Sequence, residues 1–302
     1  MAEVTLPFAP QVASDNHASL FECGLFRLLP SKMQEVCQQS PHILEYLHML
    51  PIEEMGVPQY YPELSRKLGD LKLRNLLYPV SPEVLIHVWS GAREERDMYI
   101  PVEPCLGVNL NGKMTAVEDR LLDQAGRFAD TTTRETREQA LMEVLDAICL
   151  VSSDGNGTGH KVSTSSRLFK KGEGSRVHVS PREFEAIRYL VLREKVGRGS
   201  LEAMTRDTNI EDISCSGLGP IFLEHKVFKS MRSAITFDTH EQLDQFVLRL
   251  SEQIKRPVTL RNPIVDATLP DGSRINIVYG REVSPRGSNF SIRKFTDTPL
   301  SI

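Results

Sequence analysis

The end of the chain carries the pattern that most restricts its fold, two runs of alternating apolar and polar residues around a Pro-Asp-Gly turn. The apolar members are Val265, Ala267 and Leu269 before the turn and Ile275, Ile277 and Tyr279 after it. Alternation with a period of two predicts half-buried strands, and a short Asp-Gly turn predicts an antiparallel hairpin. The segment SNFSIRKF continues the pattern, with Phe290 and Ile292 on the apolar side. The chain is therefore predicted to close with an antiparallel sheet that has one polar face.

Arginines are concentrated in this same region, at Arg274, Arg281, Arg286 and Arg293. Residues 255–294 hold eight Lys/Arg and three Asp/Glu, whereas residues 1–150 hold 13 and 22. A guanidinium group offers paired donors at the spacing of phosphate oxygens, so the cluster is a candidate anion site. The alternative is that these arginines are solvated at strand edges or paired with the neighbouring acids Asp266, Asp271 and Glu282. Composition alone favours the second interpretation.

Two amphipathic helices are predicted ahead of these strands. SPREFEAIRYLVLREKVG begins with a capping box, in which Ser180 is the cap, Pro181 takes the first helical position and Glu183 lies three residues after the cap. DTHEQLDQFVLRLSEQI has its apolar residues on one face and is capped by Asp238 or Thr239. Residues 178–302 are therefore predicted to form a helix-flanked, mainly antiparallel sheet.

The first half of the chain gives a different pattern. Its short apolar segments have helical spacing and are interrupted by prolines at Pro51, Pro58, Pro62, Pro79 and Pro82. Residues 1–150 are predicted to form a mostly helical domain that ends in the amphipathic segment TTTRETREQALMEVLDAICLV. Residues 151–177, rich in Ser, Gly and Lys, are predicted to be a flexible linker. The fold class is thus α+β, with domains 1–150 and 178–302.

No catalytic or metal-binding set is predicted. The one glycine-rich stretch has His160 and Val162 where a phosphate-binding loop needs its second glycine and its hydroxyl residue. The five cysteines are scattered without the spacing of zinc ligands. No apolar run approaches the length of about 20 residues that spans a bilayer, and the first ten residues lack the features of a secretory signal. The expected location is the cytosol, and the acidic first half argues against a nucleic-acid binder.

Several segments resemble the secretion-ATPase superfamily, specifically the archaeal branch related to type II secretion ATPase E, type IV pilus motors and the archaellum motor. These segments are REKVGRGSLEAMTRDTNIEDISCSG, RNPIVDATLPDGSRINIVYGREVSPRGSNFSIRKF, PHILEYLHMLPIEEMGVPQYYPELSRKL and MYIPVEPCL. The matching positions in the first segment are Gly199, Met204, Arg206, Asp207, Asn209, Ile210, Glu211, Asp212, Ile213, Cys215 and Gly217. The resemblance extends over most of residues 20–302, the linker excepted.

The resemblance implies a PAS-like domain over residues 178–302 that precedes a RecA-like motor. In such ATPases the last strands of this domain carry arginines that reach the nucleotide phosphates, and the matching residues here are Arg286, Arg293 and Arg274. The family forms hexamers on the cytoplasmic face of a membrane machine. The implied partners are the chain's own motor domain, neighbouring subunits and a membrane platform protein, and the implied cofactors of the full-length protein are ATP and Mg²⁺.

No stretch of this chain resembles the motor itself. We therefore interpret it as the N-terminal region of a secretion or pilus-assembly ATPase, which alone is expected neither to hydrolyse ATP nor to bind it tightly. The alternative hypothesis is a stand-alone adaptor or regulatory module with no ATPase activity.

Overall fold

The computed structural model describes residues 3–11, 21–91, 96–127, 133–152, 176–269 and 271–295. The chain divides into two compact units, the first formed by Met1–Glu103 with Ser200–Ile302 and the second by Pro104–Gly199. The predicted α+β class is confirmed, because the described residues combine nine helices with a large, mostly antiparallel sheet. Residues 153–175, most of the predicted linker together with its glycine-rich stretch, lie outside the described residues.

The elements are numbered in chain order. The helices are α1 Gly24–Leu28, α2 Ser31–Gln39, α3 Pro41–Met49, α4 Ile52–Met55, α5 Lys113–Asp123, α6 Arg134–Ile148, α7 Pro181–Lys195, α8 Glu202–Arg206 and α9 His240–Gln253. The strands are β1 Glu3–Val4, β2 Gln59–Tyr60, β3 Asn75–Ser81, β4 Val84–Trp89, β5 Asp97–Val102, β6 Cys149–Val151, β7 Val177–Val179, β8 Ile210–Cys215, β9 Gly219–His225, β10 Lys229–Phe237, β11 Ile264–Thr268, β12 Arg274–Val278 and β13 Asn289–Arg293.

The first unit is built on a sheet with the order β11-β12-β13-β8-β9-β10-β5-β4-β3-β2. Strand β1 pairs with residues 235–236 of β10, just past residues 231–233, where β10 pairs with β5. Its neighbours are antiparallel except for two pairs, β10 with β5 and β2 with β3. The predicted hairpin is confirmed, since β11 pairs with β12 and β12 pairs with β13, all antiparallel. The register of β12 with β13 places Arg274 directly opposite Arg293.

This division differs from the predicted domains 1–150 and 178–302. The parallel pairing of β5 with β10 places residues 97–99 beside residues 231–233, so both ends of the chain share one sheet. The first 150 residues are correspondingly less helical than predicted, because they contain β3, β4 and β5. Strand β4 was missed because it is buried on both faces and shows no alternation, and periodicity cannot separate such a run from a buried helix.

Prolines contributed to the same error. Pro79 lies where the β3–β4 register shifts, and Pro101 lies beyond the residues of β5 that pair with β10. A proline cannot donate a ladder hydrogen bond and is tolerated at such interruptions. Of the five prolines in the predicted pattern, Pro79 alone lies within a strand and Pro82 lies in the turn between β3 and β4, so a proline hid a continuous strand only at position 79.

Phenylalanines hold α9 against the sheet of the first unit. The ring of Phe246 on α9 lies 5.2 Å from that of Phe237 on β10 and 5.6 Å from that of Phe290 on β13, measured between centroids. The helix begins at a Thr239 cap, whose side chain accepts the backbone N–H of Gln242. This confirms the predicted amphipathic helix and leaves the opposite face of β12 and β13 polar.

The second unit has a core of its own. Helices α5, α6 and α7 and the parallel pair β6–β7 contribute its buried residues, among them Val117, Leu145 and Val191. The predicted capping box is confirmed, because Ser180 and Glu183 each bond the other's backbone N–H. Lys113 adds an ion pair of 2.6 Å with Glu183. Local signals of cap and periodicity were sufficient to predict α6 and α7.

Candidate functional site

Two of the three predicted phosphate-contacting arginines lie opposite each other on neighbouring strands. Arg274 begins β12, Arg293 ends β13, and the antiparallel register pairs them directly. Both side chains are exposed, whereas Ile275 and Ile292 beside them are buried. The predicted alternation is confirmed, and it places both guanidinium groups on the polar face of the sheet.

An acidic residue from a third strand extends this row. Asp212 on β8 is the register partner of Arg293, and its Oδ1 accepts a hydrogen bond from Arg293 Nε at 3.0 Å. The two side chains are 79% and 38% exposed, so water screens the ion pair and it adds little to stability. The predicted acidic partners Asp266, Asp271 and Glu282 did not include this residue. Its approach depends on a strand pairing that the sequence does not reveal.

The next row of the same face is polar as well. Asn276 on β12 lies opposite Ser291 on β13, which in turn lies opposite Ser214 on β8. Ser291 is exposed, while Asn276 and Ser214 are half-buried. Amide and hydroxyl groups can donate to an anion and accept from a metal-bound water. The face can therefore offer neutral donors beside the two guanidinium groups.

The third predicted arginine lies at the other end of β13. Arg286 precedes the strand, and the rise from Asn289 to Arg293 is about 13 Å. Its backbone packs on Gly217, where an added Cβ would lie 2.6 Å from the Arg286 carbonyl oxygen. Arg274 and Arg293 are thus brought together by the fold, and Arg286 is not part of that pair.

A buried carboxylate, which the sequence did not single out for a role, lies behind the site. Asp207 is 2% exposed and follows α8. Its Oδ2 accepts the hydroxyls of Tyr78 at 2.5 Å and Tyr99 at 3.1 Å, and its Oδ1 accepts the backbone and side-chain N–H groups of Asn209. Burial raises the pKa of both tyrosines, so their hydroxyls stay protonated and act as donors. Asp207 is therefore a structural acceptor that joins β3 and β5 to β8.

His225 continues this network with a defined tautomer. Its Nδ1 accepts the backbone N–H groups of Val227 at 3.0 Å and Phe228 at 3.2 Å, so the proton of the neutral ring is on Nε2. The Nε2–H faces the Tyr78 hydroxyl oxygen at 3.3 Å. Burial lowers the pKa of His225 to about 4, against a smaller opposing effect of the Asp207 charge. The ring is neutral at physiological pH and serves packing and hydrogen bonding.

Lys294 fixes the end of the arginine-bearing strand. Its ammonium group donates to the backbone carbonyls of Asp207 at 2.5 Å and Met204 at 3.4 Å, at the C-terminal end of α8. Burial lowers the pKa of Lys294, with the nearby Asp207 charge acting in the opposite direction. The residue after Arg293 is therefore anchored, and the backbone that carries Arg293 is held in place.

The acidic, histidine and cysteine side chains give no further candidate site among the described residues. No group of three or more His, Cys, Asp and Glu side chains within the described ranges is arranged to hold a metal ion. All five cysteines are free thiols, of which Cys37, Cys149 and Cys215 are buried. Within the part of the chain that the structure describes, every helix is too short or too polar to cross a membrane.

Comparisons with known proteins found relatives in Methanocaldococcus jannaschii. Uncharacterized protein MJ1288 is 41% identical over 196 residues, which cover 63% of this chain and 67% of that protein. Uncharacterized protein MJ0900 is 34% identical over 275 residues and 90% of this chain, and the chain spans 48% of its length. No family model matches the sequence.

The solved structures that match part of this chain include a secretion-system ATPase. It is the VirB11 ATPase from the Brucella suis type IV secretion system in complex with sulphate, 22% identical, with a TM-score of 0.26. The alignment covers 32% of this chain and 29% of that one.

Proposed function

The chain belongs to the family of Uncharacterized protein MJ1288, and within that family we propose that it acts as part of a secretion or pilus-assembly ATPase. In this role the face that carries Arg274 and Arg293 contacts the phosphates of a nucleotide that a motor domain binds. The proposal is supported by the resemblance of the segments around Asp207 and Arg293 to that superfamily. MJ0900 is about twice as long as the region it shares with this chain, which leaves room for a further domain in that relative.

The opposition of Arg274 and Arg293 is the observation that carries the proposal. Like charges directly across a strand pair destabilise a sheet, because their Cβ atoms are about 5 Å apart. Asp212 offsets part of this repulsion but is itself half-exposed. A phosphate group would neutralise both guanidinium groups and accept charge-assisted hydrogen bonds from each. The arrangement costs stability without a ligand and suits an anion.

The proposed contribution is electrostatic. No nucleophile or general base is assigned to this chain, so its arginines would stabilise the charge that develops during phosphoryl transfer, while the motor domain supplies Mg²⁺ and orients water. Lys294 and Asp207 would keep the end of β13 rigid for this purpose. Arg286 would make a separate contact from the opposite end of the strand.

The remaining parts of the proposal concern the assembly. The chain would work in a hexamer with neighbouring subunits, on the cytoplasmic face of the membrane, and would dock to a platform protein there. These roles come from the resemblance of the sequence segments.

The test of the arginine role is ATP hydrolysis by this chain joined to a motor domain of the family it resembles. We expect Arg274→Ala and Arg293→Ala each to lower kcat by about tenfold or more, because each removes a donor to the developing charge. Neither variant should unfold at a lower temperature than the parent, since each removes one of two like charges that face each other on the sheet. Arg261→Ala is the matched control, since Arg261 is exposed in the same unit but lies ahead of β11. Unchanged turnover in both variants would contradict the proposal.

A further inference from the structure

Two loops of the first unit, distant in sequence, meet on its surface. One is the segment 66–73, which begins with a 3₁₀ turn at Arg66–Asp70, and the other is the β9–β10 turn at 226–229. A Cβ added to Gly69 would lie 2.6 Å from the carbonyl oxygen of Val227, so the backbones are in close contact. We refer to these two segments together as the loop pair.

Arg74 holds the loop pair in place from beneath. Its guanidinium group donates to the carbonyl of Gly69 at 2.5 Å and lies over the ring of Phe228 at 5.4 Å from the centroid. Arg74 also forms an ion pair with Asp97, and both side chains are largely buried. The loop pair is therefore a fixed surface feature.

The loop pair exposes both apolar and basic side chains. Leu71 is 40% exposed and Leu73 is 78% exposed, on either side of an exposed Lys72. Arg66, Lys67 and Lys229 are exposed as well, whereas Lys226 is half-buried and donates from its ammonium group to the carbonyl of Thr208 at 2.7 Å. Asp70 is the acid within these two segments. Segment 66–73 thus carries an excess of basic residues, although residues 1–150 as a whole are strongly acidic.

The order of these residues distinguishes between two kinds of partner. The centre of a protein–protein interface is depleted of charged residues, whereas here Lys72 separates the two exposed leucines. At a membrane surface leucines can enter the acyl boundary while lysines extend to the anionic headgroups. The alternation of leucine and lysine on one loop therefore favours a lipid surface over a folded protein.

We propose that the loop pair binds anionic phospholipid, with Leu71 and Leu73 inserted and the surrounding Lys and Arg side chains contacting headgroups. The proposal stands apart from the nucleotide role, because neither Arg274 nor Arg293 belongs to the loop pair. It needs no further protein for the chain to reach a membrane surface.

The test is co-sedimentation of the 302-residue chain with vesicles of phosphatidylglycerol mixed with phosphatidylcholine, against vesicles of phosphatidylcholine alone. We expect binding to the anionic vesicles that weakens as salt is raised, because exposed charges are screened. Leu71→Ser with Leu73→Ser, and separately Lys67→Glu with Lys72→Glu, should each weaken binding by about tenfold or more.

Matched controls come from exposed residues elsewhere in the chain. Leu122→Ser removes a leucine that is 72% exposed, and Lys32→Glu reverses an exposed charge on α2, so both should bind as the parent does. Circular dichroism melting curves must agree among all variants. No preference for anionic vesicles, or equal binding by the loop-pair variants, would overturn the proposal.

The competing partner gives a different result. If the chain ignores anionic vesicles but binds polyglutamate in a way that the Lys67→Glu and Lys72→Glu changes abolish, the loop pair is a docking surface for an acidic protein. Loss of ATPase activity in the arginine variants would leave this result unchanged, so the two proposals fail independently.

Discussion

At the scale of single residues, buried polar groups contribute more to the stability of this protein than exposed ion pairs do. Asp207 and His225 are at most 2% exposed, and both have their hydrogen bonds satisfied by Tyr78 and by neighbouring backbone or amide groups. A second buried histidine, His87, has its Nδ1 bonded to the Tyr46 hydroxyl at 2.7 Å. Leaving one partner of such a bond unsatisfied costs about 1–3 kcal/mol. These residues therefore contribute to the stability of the fold.

The two buried histidines predict how stability depends on pH. Burial lowers the pKa of His225 to about 4 and that of His87 to about 3, from an ordinary value of 6.5. Below pH 6.5 the unfolded chain binds protons that the folded chain does not, so stability falls as the pH is lowered. We expect the free energy of unfolding to drop by up to about 2.7 kcal/mol per pH unit between about pH 6 and 4. Urea titrations at several pH values measure this slope.

A substitution of His225 distinguishes the contribution of this histidine to the pH dependence of stability from that of the other titrating groups. His225→Gln removes one titrating group, so its slope should be smaller by about 1.4 kcal/mol per pH unit than that of the parent. At neutral pH the variant should be less stable than the parent, because its amide cannot reproduce the bonds to Val227 and Phe228, and this difference should narrow as the pH is lowered. An unchanged slope would show that His225 does not titrate on unfolding.

At the scale of elements, a strand can be recognised from its sequence when one of its faces is buried and the other is solvated. Strands β12 and β13 have one solvated face, so their alternation was visible and their arginine face was predicted. Strand β4 is covered on both faces and its apolar run carries no period. Burial on both faces, which is typical of a central strand, thus removes the alternation by which a strand is recognised in a sequence.

Two glycines provide a test of how the loop before β13 is held. Gly217 and Gly219 both have positive φ, 121° and 108°, so alanine is strained at either position. An added Cβ would meet the Arg286 backbone only at Gly217, since nothing lies within 4 Å at Gly219. We expect Gly217→Ala to cost about 1–3 kcal/mol more than Gly219→Ala in the free energy of unfolding, because of this overlap. Equal costs in urea unfolding would exclude the close contact.

At the scale of the whole molecule, the second unit is an insertion in the sequence of the first. Residues 104–199 lie between two segments that share one sheet, and they enclose a core of their own. An insertion of this kind is not visible in a linear sequence pattern. The predicted domain boundary at residue 150 accordingly falls within β6 and not between the two units. The helices were predicted, but their grouping was not.

The separate core predicts independent folding of the second unit. We expect residues 104–199, expressed alone, to show a cooperative thermal transition, because their helices bury apolar residues against one another and β6–β7. Leu145→Ala should lower its stability by about 2–5 kcal/mol, since this side chain is fully buried. Glu143→Ala on the exposed side of α6 is the control and should change it little. A fragment without a cooperative transition would contradict the division.

The sequence by itself determined the amphipathic helices, their caps and the terminal hairpin, because those depend on residues only a few positions apart. It also located Arg274 and Arg293 on a polar face. Tertiary structure alone decided that β5 pairs with β10, that Asp212 meets Arg293, and that segments 66–73 and 226–229 form one surface. These contacts join residues far apart in the chain, and long-range pairing is chosen by the packing of the whole core, which no local pattern encodes.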